Sequence, residues 1–211
     1  VSAAVSTIST FFIHSECITM HCGIIRRMDV TEKEKVNEVL QFWFEETTPK
    51  QKFQKDDAFD ALITEKFLDT YWKVMRDETK AWRETPEGRL AEIIVLDQFA
   101  RNMFRGDPQT FKGDGHALDL AREAVASGDD KKVNEDRRTF FYMPYMHSES
   151  PDVHEEALRI FTEFGNEQNL EYEIKHKEII DRFGRYPHRN EVLGRESTSE
   201  EIEWLKAGGG F

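Results

Sequence analysis

The chain has 211 residues, 38% hydrophobic and 33% charged, and its sixteen Phe and four Trp are enough to bury one sizeable core. A formal net charge of −12 and a pI near 5.1 exclude general binding to nucleic acid or an anionic membrane, since both need a broad positive field. The two cysteines, Cys17 and Cys22, exclude a disulfide framework and point to a reducing, cytoplasmic compartment, and no apolar run reaches the roughly 18 residues of a spanning helix.

Residues 1–27 are rich in Ser, Thr and Ile, lack a clear period, and carry no charge pattern or cleavage site of a secretory signal. They read as an appended, disordered leader, with Met28 as the natural start of a single domain running from 28 to 211. His14, Cys17, His21 and Cys22 match no standard zinc spacing. Thr31 with Glu34 predicts a capped helix to about Glu46, burying Val36, Val39, Leu40 and Trp43, with Pro49 closing the region. Phe59, Ile63, Phe67, Tyr71 and Val74 recur every four residues or so, which predicts a long core helix.

Thr85, Pro86 and Glu87 form a helix start, and the helix that follows to about Arg105 is apolar on nearly every side, hence central. Asp97, Arg101 and Arg105 fall on one face of it, with Gln98 and Asn102 beside them. Such groups on a buried helix either brace neighbouring helices as an ion pair or hold a ligand. Gly106 to Gly115 reads as a loop, and Asp114 as the cap of a small-residue helix ending near Gly128. An aromatic helix interrupted at Pro144 then places His147 and Glu149 one turn further on. Further helices follow, from about Asp152 to Phe164 and through His176 to Gly184, with a last short one capped by Thr198 and Glu201 or by Ser197 and Glu200.

The segment His176 to Arg195 puts four arginines and two histidines on a chain that must turn tightly, because Gly184 ends one helix and Pro187 biases Tyr186 away from α geometry. A short helix through His188 to Leu193, closed by Gly194, is expected after it. Arg182, Arg185, His188, Arg189, Asn190 and Arg195 are therefore donors on a constrained backbone, which suits a carboxylate or phosphate. No segment shows strand alternation, so the fold class is all-α, with seven to eight helices packed as antiparallel pairs.

The stretches LDQFARNMFRG (Leu96 to Gly106), YMPYMHSE (Tyr142 to Glu149) and RFGRYPHRNEVLGRES (Arg182 to Ser197) closely resemble the bacterial family known as domain of unknown function 924. The resemblance runs from about Val39 to Leu205 and leaves the leader without a counterpart. It implies a tetratricopeptide-like helical fold but no established activity. It also implies that Asp97, Gln98, Arg101, Asn102, Arg105, His147, Glu149, His176, Arg182, Arg185, His188, Arg189, Asn190 and Arg195 fill motif positions. Ala100 and Tyr186 stand where the family pattern commonly has Pro and Phe.

The residues support two functional classes. One is a pocket for a small anionic ligand, lined by the Asp97 face, the His147 region and the arginine turn, with His147, His176 or His188 moving a proton and Glu149 orienting an imidazole. The other is a tetratricopeptide-like scaffold whose arginines clamp an acidic peptide or partner protein. Depth separates them, since a peptide groove is long and open. A purely structural polar network would use the same residues. No cofactor or metal is expected: Glu173 with His176 lacks the second half of a dimetal motif, and arginines near His147, Glu149 and His154 would repel a cation. Walker, dinucleotide and hydrolase-elbow motifs are absent from the sequence.

Overall fold

The computed structural model describes residues 28–210; the leader and its His14, Cys17, His21 and Cys22 lie outside them. The described residues are all-α and contain no strand. Helix α1 (Val30–Gln41) continues into a π-helical turn, Phe42–Glu46, and is followed by short α2 (Pro49–Phe53) and long α3 (Asp57–Met75). Helix α4 (Pro86–Ile93) passes through a second π turn, Ile94–Phe99, into α5 (Ala100–Met103), so that the three segments form one continuous helix. Then come α6 (Asp114–Ser127), α7 (Glu135–Met146), α8 (Pro151–Phe164), α9 (Glu167–Phe183) and α10 (Ser199–Lys206). Counted with α4 and α5 as one, these are nine helices, eight of them seven residues or longer. The ninth, α2, was not expected, because Pro49 reads as a stop although it equally suits a first helical position, which it takes here after Thr48.

Local chemistry explains most of the helix ends. The first cap is Asp29 paired with Glu32, two residues ahead of the expected Thr31, because Asp29 accepts from the Glu32 N–H. Thr85 caps α4, and Thr198 with Glu201 forms the box before α10. Gly128, Gly165 and Gly184 close α6, α8 and α9 in the left-handed conformation. Helix α7 is not interrupted at Pro144. It runs on to Met146, and only the last three residues lie at or beyond the proline.

The core is aromatic and centred on α1, α3 and the first π turn. Phe67 and Phe99 lie 4.6 Å apart between ring centroids, Phe42 and Phe67 5.1 Å, and Trp43 and Phe99 5.6 Å. Around it α6, α7, α8 and α9 pack each on the next. The π turn at Ile94–Phe99 is buried throughout, and the wider turn sets the direction of Asp97 and Gln98. None of the described helices is long and apolar enough to cross a membrane.

Gly88 shows how closely the parts fit. A Cβ there would stand 1.9 Å from the carbonyl oxygen of Trp82, in the 3-10 turn Lys80–Glu84. That neighbour is backbone and cannot swing aside. Gly88→Ala is therefore expected to cost about 1–3 kcal/mol. Its thermal midpoint should fall by about 2–4 °C per kcal/mol. Gly115→Ala, where a Cβ meets nothing within 4 Å, should leave the midpoint unchanged or raise it.

Candidate functional site

Three stretches converge beside the π turn. Asp97, fully buried, accepts two hydrogen bonds on its carboxylate, from His147 Nδ1 at 2.7 Å and Gln98 Nε2 at 2.6 Å, and forms an ion pair with Arg101 Nη1 at 3.0 Å. Arg101 also donates to the Asp97 carbonyl and reaches across to both oxygens of Asp114 at 3.1 and 3.2 Å. Burial alone would raise the Asp97 carboxyl, but Arg101, His147 and Gln98 together hold it well below the usual carboxylate range. Burial and the Arg101 charge push His147 below an ordinary imidazole, and Asp97 only partly opposes them. The pair is thus an ionised carboxylate and a neutral ring. Because Asp97 can only accept, the ring hydrogen sits on Nδ1 and Nε2 is the basic nitrogen.

Arg189 comes from the other side, in the 3-10 turn Pro187–Arg189. Gly184 and the extended Tyr186 bring the chain round, and Gly194 at φ +64° closes the following turns, where a short helix to Leu193 was expected. The guanidinium packs over the Phe111 ring at 4.5 Å and over the Tyr186 ring at 4.6 Å. It donates to the His147 carbonyl at 3.0 Å and reaches Asp114 at 3.4 Å, and its buried Nε has no partner among the described residues. Burial, then the nearby Arg101, lower its pKa, whereas carboxylate partners raise those of Arg101, Arg105 and Arg185.

Of these groups, Asp114, His147 and Arg189 line a partly open cavity of about 270 Å³. Asp114, His147, Ser148, Glu149 and Arg189 form its polar side, and Phe111, Leu118, Pro144 and Leu193 its apolar side. The sequence suggests only a capping role for Asp114. In the structure it is the first residue of α6, Gly113 occupies the cap, and the carboxylate serves two arginines. Its place at the start of an alanine-rich helix concealed this, since a capping role and an ion-pair role leave the same sequence signal.

The other expected site residues are placed as follows. Asn102 and Arg105 turn away to Asp60 on α3, at 2.8 and 2.6 Å, because α5 ends at Met103 and Phe104 leaves helical geometry, carrying Arg105 off the Asp97 face. Arg182 pairs with Glu200 at the surface, and Arg185 grips Glu201 at 2.7 and 2.8 Å. Arg195 holds both oxygens of Glu149, whose other donor is the Tyr186 N–H. Glu149 therefore orients an arginine, and Asp97 has the imidazole-orienting place expected of it. Asn190 is buried inside the turn and donates to Ser197. His176 bonds the Tyr172 carbonyl and stands edge-on to Tyr186, with burial lowering it to about 3, while His188 is exposed beside Tyr186.

A second buried carboxylate–imidazole pair lies behind the first. His154 Nδ1 is 2.7 Å from Glu173, not His176, and its Nε2 is 2.9 Å from the Ser148 carbonyl. The Tyr186 hydroxyl donates to the Met146 carbonyl at 2.6 Å. Both contacts fix the backbone that carries His147. No three His, Cys, Asp or Glu side chains among the described residues gather closely enough to hold a metal ion.

Acid titration reports on this arrangement. A depressed histidine must gain a proton on unfolding at mildly acid pH, so the unfolded state binds more protons and stability falls as pH drops below about 6.5. Asp97, also depressed, keeps its contribution above about pH 4 and loses it only below that. Urea unfolding across this range should show the parent losing ground to His147→Gln as pH falls from about 6.5, since the variant lacks that titration.

Residues 39–209 match the model of a family described as a bacterial protein of unknown function (DUF924). A solved structure of a protein of unknown function from Agrobacterium tumefaciens is 37% identical with a TM-score of 0.79, the match covering 83% of this chain and 99% of that one. No curated protein matches the chain.

Proposed function

The chain belongs to the DUF924 family of bacterial proteins of unknown function, and we propose from its own geometry that the 270 Å³ cavity binds a small anion, a carboxylate or a phosphate. The observation that carries this is Arg189. It is 7% exposed, packed against two aromatic rings, and short of carboxylate partners in a cluster where Arg101, Arg185 and Arg195 each hold a carboxylate through two bonds. A guanidinium fixed in that way offers an anion a site whose ordering is already complete. His147 lines the same cavity with a basic Nε2, and Asp97 holds its ring as a carboxylate holds a general base. Acid–base chemistry on the bound anion is the reaction class this pairing would serve.

A tetratricopeptide-like scaffold for an acidic peptide is the second reading, supported by the successive packing of α6 through α9. It would need free guanidiniums along an open groove. Arg182, Arg185 and Arg195 are already on Glu200, Glu201 and Glu149, which favours the small ligand.

Thermal unfolding with sulfate, inorganic phosphate, small carboxylates and an acidic peptide tests both. An anion at a hundred times its dissociation constant should add about 2.7 kcal/mol. For a chain of this size the midpoint should then rise by about 5–10 °C. Arg189→Lys, which keeps the charge and loses the planar guanidinium, should lose most of that shift. A shift with the peptide alone would favour the scaffold.

A further inference from the structure

A charge count around the cavity, taken with the anion reading above, extends that reading. Three carboxylates, Asp97, Asp114 and Glu149, meet three guanidiniums, Arg101, Arg189 and Arg195, in ion pairs 2.7 to 3.4 Å long. With His147 neutral, the cluster sums to zero. A singly charged anion seated on Arg189 would leave it one charge negative, and a doubly charged one two, in a cavity partly walled by Phe111, Leu118, Pro144 and Leu193. Uncompensated charge is costly in such surroundings.

The groups facing His147 differ in whether they can correct this. On its own segment Glu149 already grips Arg195, and on the central helix Asp97 holds Arg101. Asp114 on α6 lies between Arg101 and Arg189. On α8, His154 has both ring nitrogens engaged, by Glu173 and the Ser148 carbonyl. His176 on α9 and His188 in the following turn are not among the residues lining the cavity. His147 does line it, and its Nδ1 hydrogen is committed to Asp97 at 2.7 Å. The remaining acceptor is Nε2.

We propose that the site takes up its anion together with one proton, which passes from solvent to Nε2 of His147 and turns the ring into an imidazolium held between Asp97 and the ligand. Before the anion arrives, burial and Arg101 keep the ring neutral. The negative charge of the anion favours the imidazolium, so proton and anion each strengthen the binding of the other.

Isothermal titration calorimetry on the full chain tests this, with sulfate and propionate as probes, in two buffers of different ionisation enthalpy. Neither probe titrates appreciably between about pH 6 and 8, where an ordinary imidazole does. Uptake of close to one proton per anion is expected, with affinity falling by up to about tenfold per pH unit as pH rises through the titration. His147→Gln, which keeps a donor for Asp97, should bind with no proton uptake and a flat pH profile. Binding by the parent without proton uptake overturns the coupling and leaves the anion reading standing. Undiminished uptake in His147→Gln overturns the assignment to His147. If neither probe binds at any pH, the anion reading falls and the coupling with it.

Discussion

The buried Asp97 carboxylate is the constraint from which the rest of the site follows. An ionised carboxylate in a protein interior must have its lone pairs and its charge met, and here a glutamine and a histidine donate to it and an arginine balances its charge. Two of those partners come from the same helix. The third, His147, belongs to the end of α7, so the carboxylate ties that end to the centre of the molecule. Arg101 then carries the connection on to Asp114 at the start of α6, and Asp114 to Arg189. One ion-pair chain thus links four separated segments.

That chain also explains why so basic a stretch occurs in so acidic a protein. Most of the guanidiniums from the last turn of α9 onward satisfy carboxylates of this same chain: Arg182 and Arg185 anchor α10, and Arg195 anchors Glu149. Each fixes an element that has little apolar surface of its own. Only Ile179, Ile180 and Tyr186 form the small apolar cluster there, with Phe183 and Trp204 packed against it. Charge pairing therefore locates the C-terminal segments, and Arg189, beside the Phe111 and Tyr186 rings, carries the same pairing on to Asp114.

The helices were legible because their signals are local. Apolar residues every three or four positions, Thr85 before Pro86, and glycines at 128, 165 and 184 act within a turn or two of chain. The errors arose where a residue has two good uses. Pro49 can end a helix or begin one, Thr31 and Asp29 can both cap, and Pro144 costs a bond near a helix end where the bond is dispensable. Asp114 has the same ambiguity, and it concealed a charge that lines the cavity.

The sequence by itself determined the all-α class, the core faces and the three stretches whose polar residues had to be satisfied somewhere, because periodicity and the cost of burying charge are properties of the residues. Tertiary structure alone decided the partners. His147 with Asp97, His154 with Glu173, Glu149 with Arg195 and Arg105 with Asp60 are separated by 19 to 50 positions along the chain. Carboxylates and guanidiniums are chemically interchangeable as partners at that range, and only the packing of helices selects which pair comes within hydrogen-bond distance.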